Sequence, residues 1–111
     1  IMTIITSHIL NGTDGTHANG IKVVFSELCS GKIFEANTDD FGRIKKNIES
    51  VKLNSFVSYE LVFETGPYWI ERGYRQIMDQ VVLRFKIPDL KKDFHIPIII
   101  SPNSYSVWWS S

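Results

Sequence analysis

Phe94-His95-Ile96-Pro97-Ile98-Ile99-Ile100-Ser101-Pro102 is the stretch on which the fold turns. Read as a strand from His95 to Ile100, its two-residue period puts His95, Pro97 and Ile99 on one face and the other isoleucines on the opposite face. One face is then continuously apolar and the other carries a histidine, which separates a core side from a site side. Proline removes a ladder donor, so this strand is expected at a sheet edge or a bulge, or facing a cavity on that side.

The same period recurs outward from there. Ser101-Pro102-Asn103 leads into a last strand, Ser104 to Ser110. Upstream, Val81, Leu83, Phe85 and Ile87 alternate with Gln80, Val82, Arg84 and Lys86. Within Phe56 to Phe63, Tyr59, Leu61 and Phe63 share one face while Ser58, Glu60 and Val62 share the other. Thr3 to Leu10, Ile21 to Leu28 and Lys32 to Ala36 complete the strands, punctuated by Asn11-Gly12-Thr13-Asp14-Gly15, Asn19-Gly20 and Ser30-Gly31. Only Pro67 to Arg75 is expected to be helical, because Gly66 precedes it and proline suits a first turn; Gly73 keeps it short. Asp39-Asp40-Phe41-Gly42-Arg43 reads on its own as a surface turn. The pattern is all-β: a two-sheet sandwich of about eight strands with one short helix, forming a single domain over residues 1–111.

Composition narrows the function. Apolar residues make up 43% and charged residues 22% of the 111, which is ordinary globular usage and argues against disorder. Lysine plus arginine balances aspartate plus glutamate at 12 each, leaving neither a footprint for nucleic acid nor a pull towards anionic lipid. Small molecules, or further copies of the chain, are the expected partners. Cys29 is the one cysteine, so no intramolecular disulfide forms, in keeping with a reducing compartment. Ile1 to Thr6 lacks the basic-then-apolar layout of a signal peptide, and no apolar run approaches the roughly 20 residues that span a bilayer. A cytoplasmic location is the expectation.

Three segments carry ionisable groups in unusual company: Ser7-His8-Ile9-Leu10, Asp39 to Arg43, and Phe94 to Pro102. Singly, each has a plain structural explanation. Their order along the chain is more specific. Thr6-Ser7-His8-Ile9-Leu10, then Asp40-Phe41-Gly42-Arg43, then Tyr59-Glu60-Leu61-Val62-Phe63, then Phe94-His95-Ile96-Pro97 through Ser101-Pro102 to Tyr105-Ser106, resembles the 5-hydroxyisourate hydrolase family, the transthyretin-related enzymes of purine catabolism.

The resemblance implies an eight-stranded transthyretin-like sandwich assembled as a homotetramer, a dimer of dimers, with sites in the channel between dimers. It implies a cofactor-free, metal-free hydrolase that opens the ring of 5-hydroxyisourate by water attack on a carbonyl. Carried over, the family's catalytic histidines match His8 and His95, its arginine matches Arg43, and its terminal serine matches Ser111 as a substrate-binding residue. The residue types suit the chemistry. An imidazole titrates near neutrality and serves as base or acid, and a guanidinium orients an anionic substrate or stabilises an oxyanion. His17 lies near His8 in sequence, but zinc wants a third or fourth ligand at recognisable spacing.

Where the family ends Tyr-Arg-Gly-Ser, this chain ends Trp108-Trp109-Ser110-Ser111; Phe41 also stands where the family has aspartate. By alternation Ser106, Trp108 and Ser110 share a face, so Trp108 is expected on the channel, stacking on a flat heterocycle or filling the pocket. Two other functions are therefore weighed beside the first. One is a related enzyme for another flat cyclic amide-like substrate; the other is a non-catalytic binding protein of the same fold.

Overall fold

The computed structural model describes residues 1–110. Eight strands form two four-stranded sheets. One sheet has the order β4-β1-β7-β8, built from Arg43–Glu49, Met2–Asn11, Phe94–Ser101 and Ser104–Val107. The other has the order β3-β2-β5-β6, built from Gly31–Asn37, Lys22–Glu27, Tyr59–Phe63 and Val81–Phe85. The single α-helix among the described residues, α1, spans Thr65–Glu71. The expected two-sheet sandwich of eight strands and one helix is what the chain adopts.

Alternation decides which side chains meet between the sheets. Ile5 and Ile9 of β1, Val23 and Phe25 of β2, Leu61 and Phe63 of β5, and Ile96, Ile98 and Ile100 of β7 are all buried. At about 25 cal/mol per Å² of apolar surface, each such side chain contributes roughly 1.5–3 kcal/mol when buried. Phe25 lies at the centre, stacked on Tyr59 at 5.3 Å between ring centroids and on Phe34 at the same distance. The opposite face of the β4-β1-β7-β8 sheet is left to Thr6, His8, Arg43, Lys45, His95, Pro97 and Ile99.

Four sequence expectations need correction. The expected turn is present, closed by the Gly42 amide on the Asp39 carbonyl (2.9 Å) and the Asp39 amide on the Arg43 carbonyl (3.0 Å), but Arg43 also opens β4, which sequence periodicity did not reveal. Its run Arg43-Ile44-Lys45-Lys46-Asn47-Ile48-Glu49 buries only Ile44 and Ile48, too thin an apolar signal to stand out. The helix begins two residues before Pro67 and ends at Glu71, because Gly73 adopts φ +79° and stops the turn. The strand placed at Phe56 begins at Tyr59, and Phe56 is exposed.

The fourth correction is Pro97. β7 is not an edge strand: it pairs in parallel with β1 and antiparallel with β8. The missing N–H faces the C-terminal segment instead. The Trp108 amide donates to the Pro97 carbonyl at 3.3 Å, but Pro97 has nothing to give in return. The ladder accordingly lapses after Val107 and resumes at Ser110, whose amide and carbonyl both bond His95, at 2.8 and 3.2 Å.

Candidate functional site

Strand register arranges the outward face of the β4-β1-β7-β8 sheet as a small grid. Arg43, His8 and Pro97 form one row across β4, β1 and β7; Lys45, Thr6 and His95 form the next. His8 and Arg43 are thus directly opposite each other, and His95 lies diagonally from His8 across the parallel β1–β7 pair. Three residues far apart in sequence come together because the histidines sit on adjacent central strands and Gly42 feeds Arg43 into the neighbouring edge.

Gly42 is a tight point. Its φ is +70°, and a Cβ there would stand 2.5 Å from the Ile9 carbonyl oxygen and 3.1 Å from the Ala18 nitrogen. Only glycine lets the loop pass so close to β1 in that conformation. The loop is locked by the Ile9 amide donating to the Gly42 carbonyl (2.8 Å) and by Asp39, whose Oδ1 accepts from the amides of Phe41 (2.9 Å) and Arg43 (3.0 Å).

Thr6, Ser7, Asp39, Arg43, Ile44, Lys45 and His95 line an open concavity of about 330 Å³, within the size range of small-molecule sites. The Thr6 hydroxyl lies 2.8 Å from His95 Nδ1 and 3.3 Å from the Phe94 carbonyl, so it orients the imidazole. When the hydroxyl proton goes to the carbonyl, Nδ1 carries the ring proton and Nε2 is left as the base.

His8 and His95 both titrate below the ordinary histidine value of 6.5. Loss of hydration is the main cause in each case, followed by the positive charge of Arg43; for His8, the charges of His17 and His95 add to this, opposed by the backbone of Phe41. Neutral imidazoles beside a fixed guanidinium are the protonation states that a base-assisted attack on an anion-prone substrate requires.

The C-terminal tryptophans are placed elsewhere. Trp108 and Trp109 line an apolar cleft of about 230 Å³ with Leu83, Phe85, Pro88 and Phe94, at the side where β6 and β8 are both edge strands. Trp109 stacks on Phe94 at 5.6 Å and 18°. Trp108 does not line the His95–Arg43 concavity in the single chain. Ser111 lies outside the described residues.

Thr6, Asp39 and Lys45 were not singled out from sequence as parts of this site. Cross-strand register, which no local motif announces, places Thr6 and Lys45, while Asp39 enters through the loop that its carboxylate closes. Among the described residues, no group of three or more histidine, cysteine or carboxylate side chains is arranged to hold a metal ion. Among the same residues, no helix is long and apolar enough to cross a membrane.

The sandwich thus carries paired histidines and an arginine together on one outer sheet face. Residues 5–109 match the HIUase/Transthyretin family, and the chain belongs to it. It is 32% identical to the 5-hydroxyisourate hydrolase of Pseudomonas aeruginosa over 115 aligned residues, covering 96% of this chain and 90% of that one. The structure of Klebsiella pneumoniae 5-hydroxyisourate hydrolase superimposes with a TM-score of 0.83 at 28% identity, covering 98% and 100% of the two chains. Sea bream transthyretin bound to thyroxine gives a TM-score of 0.86 at 22% identity, covering 96% of this chain and 93% of that one; this likeness concerns the fold alone.

Proposed function

We propose that this chain is a hydrolase that opens the ring of 5-hydroxyisourate, the substrate named for the relatives it matches over nearly its full length. The observation that carries the reading is the convergence of His8, His95 and Arg43 on one sheet face, with both imidazoles disposed to be neutral. One histidine takes a proton from water as the oxygen attacks the ring carbonyl. Arg43 holds the oxyanion that forms. The carbon–nitrogen bond then breaks, the carbon keeps the new hydroxyl as a carboxyl group, and the acquired proton passes to the leaving nitrogen. No other reactant enters the balance. Thr6 holds His95 for this role.

The chain acts as one domain over its length and assembles as a homotetramer, with the outer sheet faces lining a channel. The unpaired edges of β6 and β8, which lie on the same side, favour association through strand edges. Ser111, and Trp108 contributed by a neighbouring copy, complete the pocket against the substrate. A location in the cytoplasm suits an enzyme with a single exposed free cysteine.

The test generates 5-hydroxyisourate in situ by enzymatic oxidation of urate and follows its ultraviolet absorbance. Faster decay with the protein, lost in His8→Ala and His95→Ala, is the expected result. Decay at the spontaneous rate overturns the reading, and light scattering at monomer mass overturns the assembly.

A further inference from the structure

His17 lies outside the three segments that the hydrolase reading uses, yet it touches one of their members. The chain turns back after β1, and His17 becomes the bridge partner of Leu10, continuing the sheet beyond the end of β4. Two bonds fix that return: the Asn11 amide to the Thr16 carbonyl at 2.8 Å, and the Ala18 amide to the Ile9 carbonyl at 2.9 Å. His17 is thereby held diagonally from His8 on the same outward face. His17 Nδ1 lies 3.0 Å from His8 Nε2, with the ring planes 37° apart, and the Phe41 ring stands edge-on to His17 at 6.2 Å.

A nitrogen–nitrogen contact at that distance has one proton in it. In the neutral pair one ring donates and the other accepts. Adding a proton to either ring leaves an imidazolium donating to a neutral imidazole, a stronger, charge-assisted bond. A second proton would put two N–H groups face to face, and the contact would have to open.

We propose that His17 is a positioning residue for His8, the two forming an imidazole pair that holds its geometry with at most one added proton. This rests on the hydrolase reading for its consequence in catalysis, though not for the pairing itself. His17 fixes which nitrogen of His8 bears the proton and limits rotation of the ring towards the substrate. Every charged neighbour of His8 bears on the pair. Arg43 from β4 and His95 from β7 oppose further positive charge; Asp39, from the loop before β4, is the facing carboxylate. Asp40 in the same loop is turned to Asn19, at 3.2 Å. Protonation of one ring therefore changes what the other can donate or accept across the shared contact.

The experiment is a pH titration of the whole protein, with the ring nitrogens of His8 and His17 followed by nitrogen-15 NMR, in the native chain, His17→Asn and His17→Ala. The native chain should show both rings reporting the same two steps, with a single His8 tautomer when neutral. His17→Asn keeps a hydrogen-bonding amide near the Nδ1 position without a titrating ring; His8 should then titrate in one step and keep its tautomer. In His17→Ala the tautomers should mix. In the hydrolase assay, His17→Ala should lower kcat by roughly tenfold, the ceiling for one ordinary hydrogen bond, with KM little changed and His17→Asn restoring most of the loss. Independent single-step titration of His8 and His17 in the native chain overturns the pairing. Paired titration with unchanged kcat in His17→Ala overturns the positioning role. The NMR readout needs no substrate, so failure of the hydrolase reading itself would show separately, as no activity in the native chain.

Discussion

Replacing Gly42 by alanine tests whether the crossing of the loop before β4 over β1 is as tight as its geometry demands. Two costs are separable. The left-handed conformation, φ +70°, costs an L-residue about 1–2 kcal/mol. Gly15 and Gly20, at φ +75° and +73°, share that conformation, but a Cβ at either would meet nothing within 4 Å. Their alanine variants measure the first cost alone. At Gly42 the new Cβ would fall 2.5 Å from the Ile9 carbonyl oxygen, which is backbone and accepts the Ala18 amide. The loop must move, straining that bond and the one from the Ile9 amide to the Gly42 carbonyl, at about 1 kcal/mol each. Gly42→Ala should therefore cost about 3–4 kcal/mol, against about 1–2 for each control. Since a domain has about 5–15 kcal/mol in all, the difference is readily measured by urea unfolding followed through tryptophan fluorescence, with m-values compared. The same shift displaces Arg43, so activity should fall further than folded fraction explains. A Gly42→Ala variant within about 0.5 kcal/mol of Gly15→Ala and Gly20→Ala would refute the packing argument.

Further expectations follow from the grid of side chains. Arg43→Gln removes a charge that depresses both histidines, so the acid limb of the pH–rate profile should move to higher pH, separately from any drop in kcat. Because His8 and His95 titrate below 6.5 when folded, the stability that comes from keeping them neutral is present above about pH 6.5 and lost as the pH falls through their folded values; urea unfolding at a series of pH values should show that loss shrink in Arg43→Gln. Thr6→Val deletes the hydroxyl 2.8 Å from His95 Nδ1 and should lower kcat up to about tenfold while leaving the melting temperature nearly unchanged. Trp109→Ala removes the stack on Phe94 and should destabilise the chain by about 1–2 kcal/mol, read from urea midpoints at equal m-value.

How far the sequence carried the structure depended on whether the signal was local. Tyr59, Leu61 and Phe63 alternate against polar neighbours, and β5 stood out in consequence. β4 did not, since Lys45, Lys46 and Asn47 interrupt the two isoleucines that anchor it. Pro97 misled because a proline inside a strand suggests an edge, whereas here the donor it lacks faces the segment where the neighbouring strand lapses. His8, Arg43 and His95 were legible through the blocks around them. Their adjacency required the parallel pairing of β1 with β7, a contact between residues nearly 90 positions apart. The His8–His17 contact was hidden for a different reason: it depends on the bend that lays His17 beside Leu10, and nothing in the intervening turn states its register.

Beside the gap that Pro97 leaves in the ladder, residues 108 and 109 share a single main-chain bond, from the Trp108 amide to the Pro97 carbonyl. Trp108 and Trp109 fall between the last pair of β8 and the Ser110 bridge, so the bonds that seat His95 do not run through them. Side chains there can be exchanged, for bulk or for charge, without moving the imidazole beside them. A chain built this way can vary the apolar cleft along its β6 and β8 edges while His95 keeps its register, which makes residues 108 and 109 the natural place to begin mutagenesis of that edge.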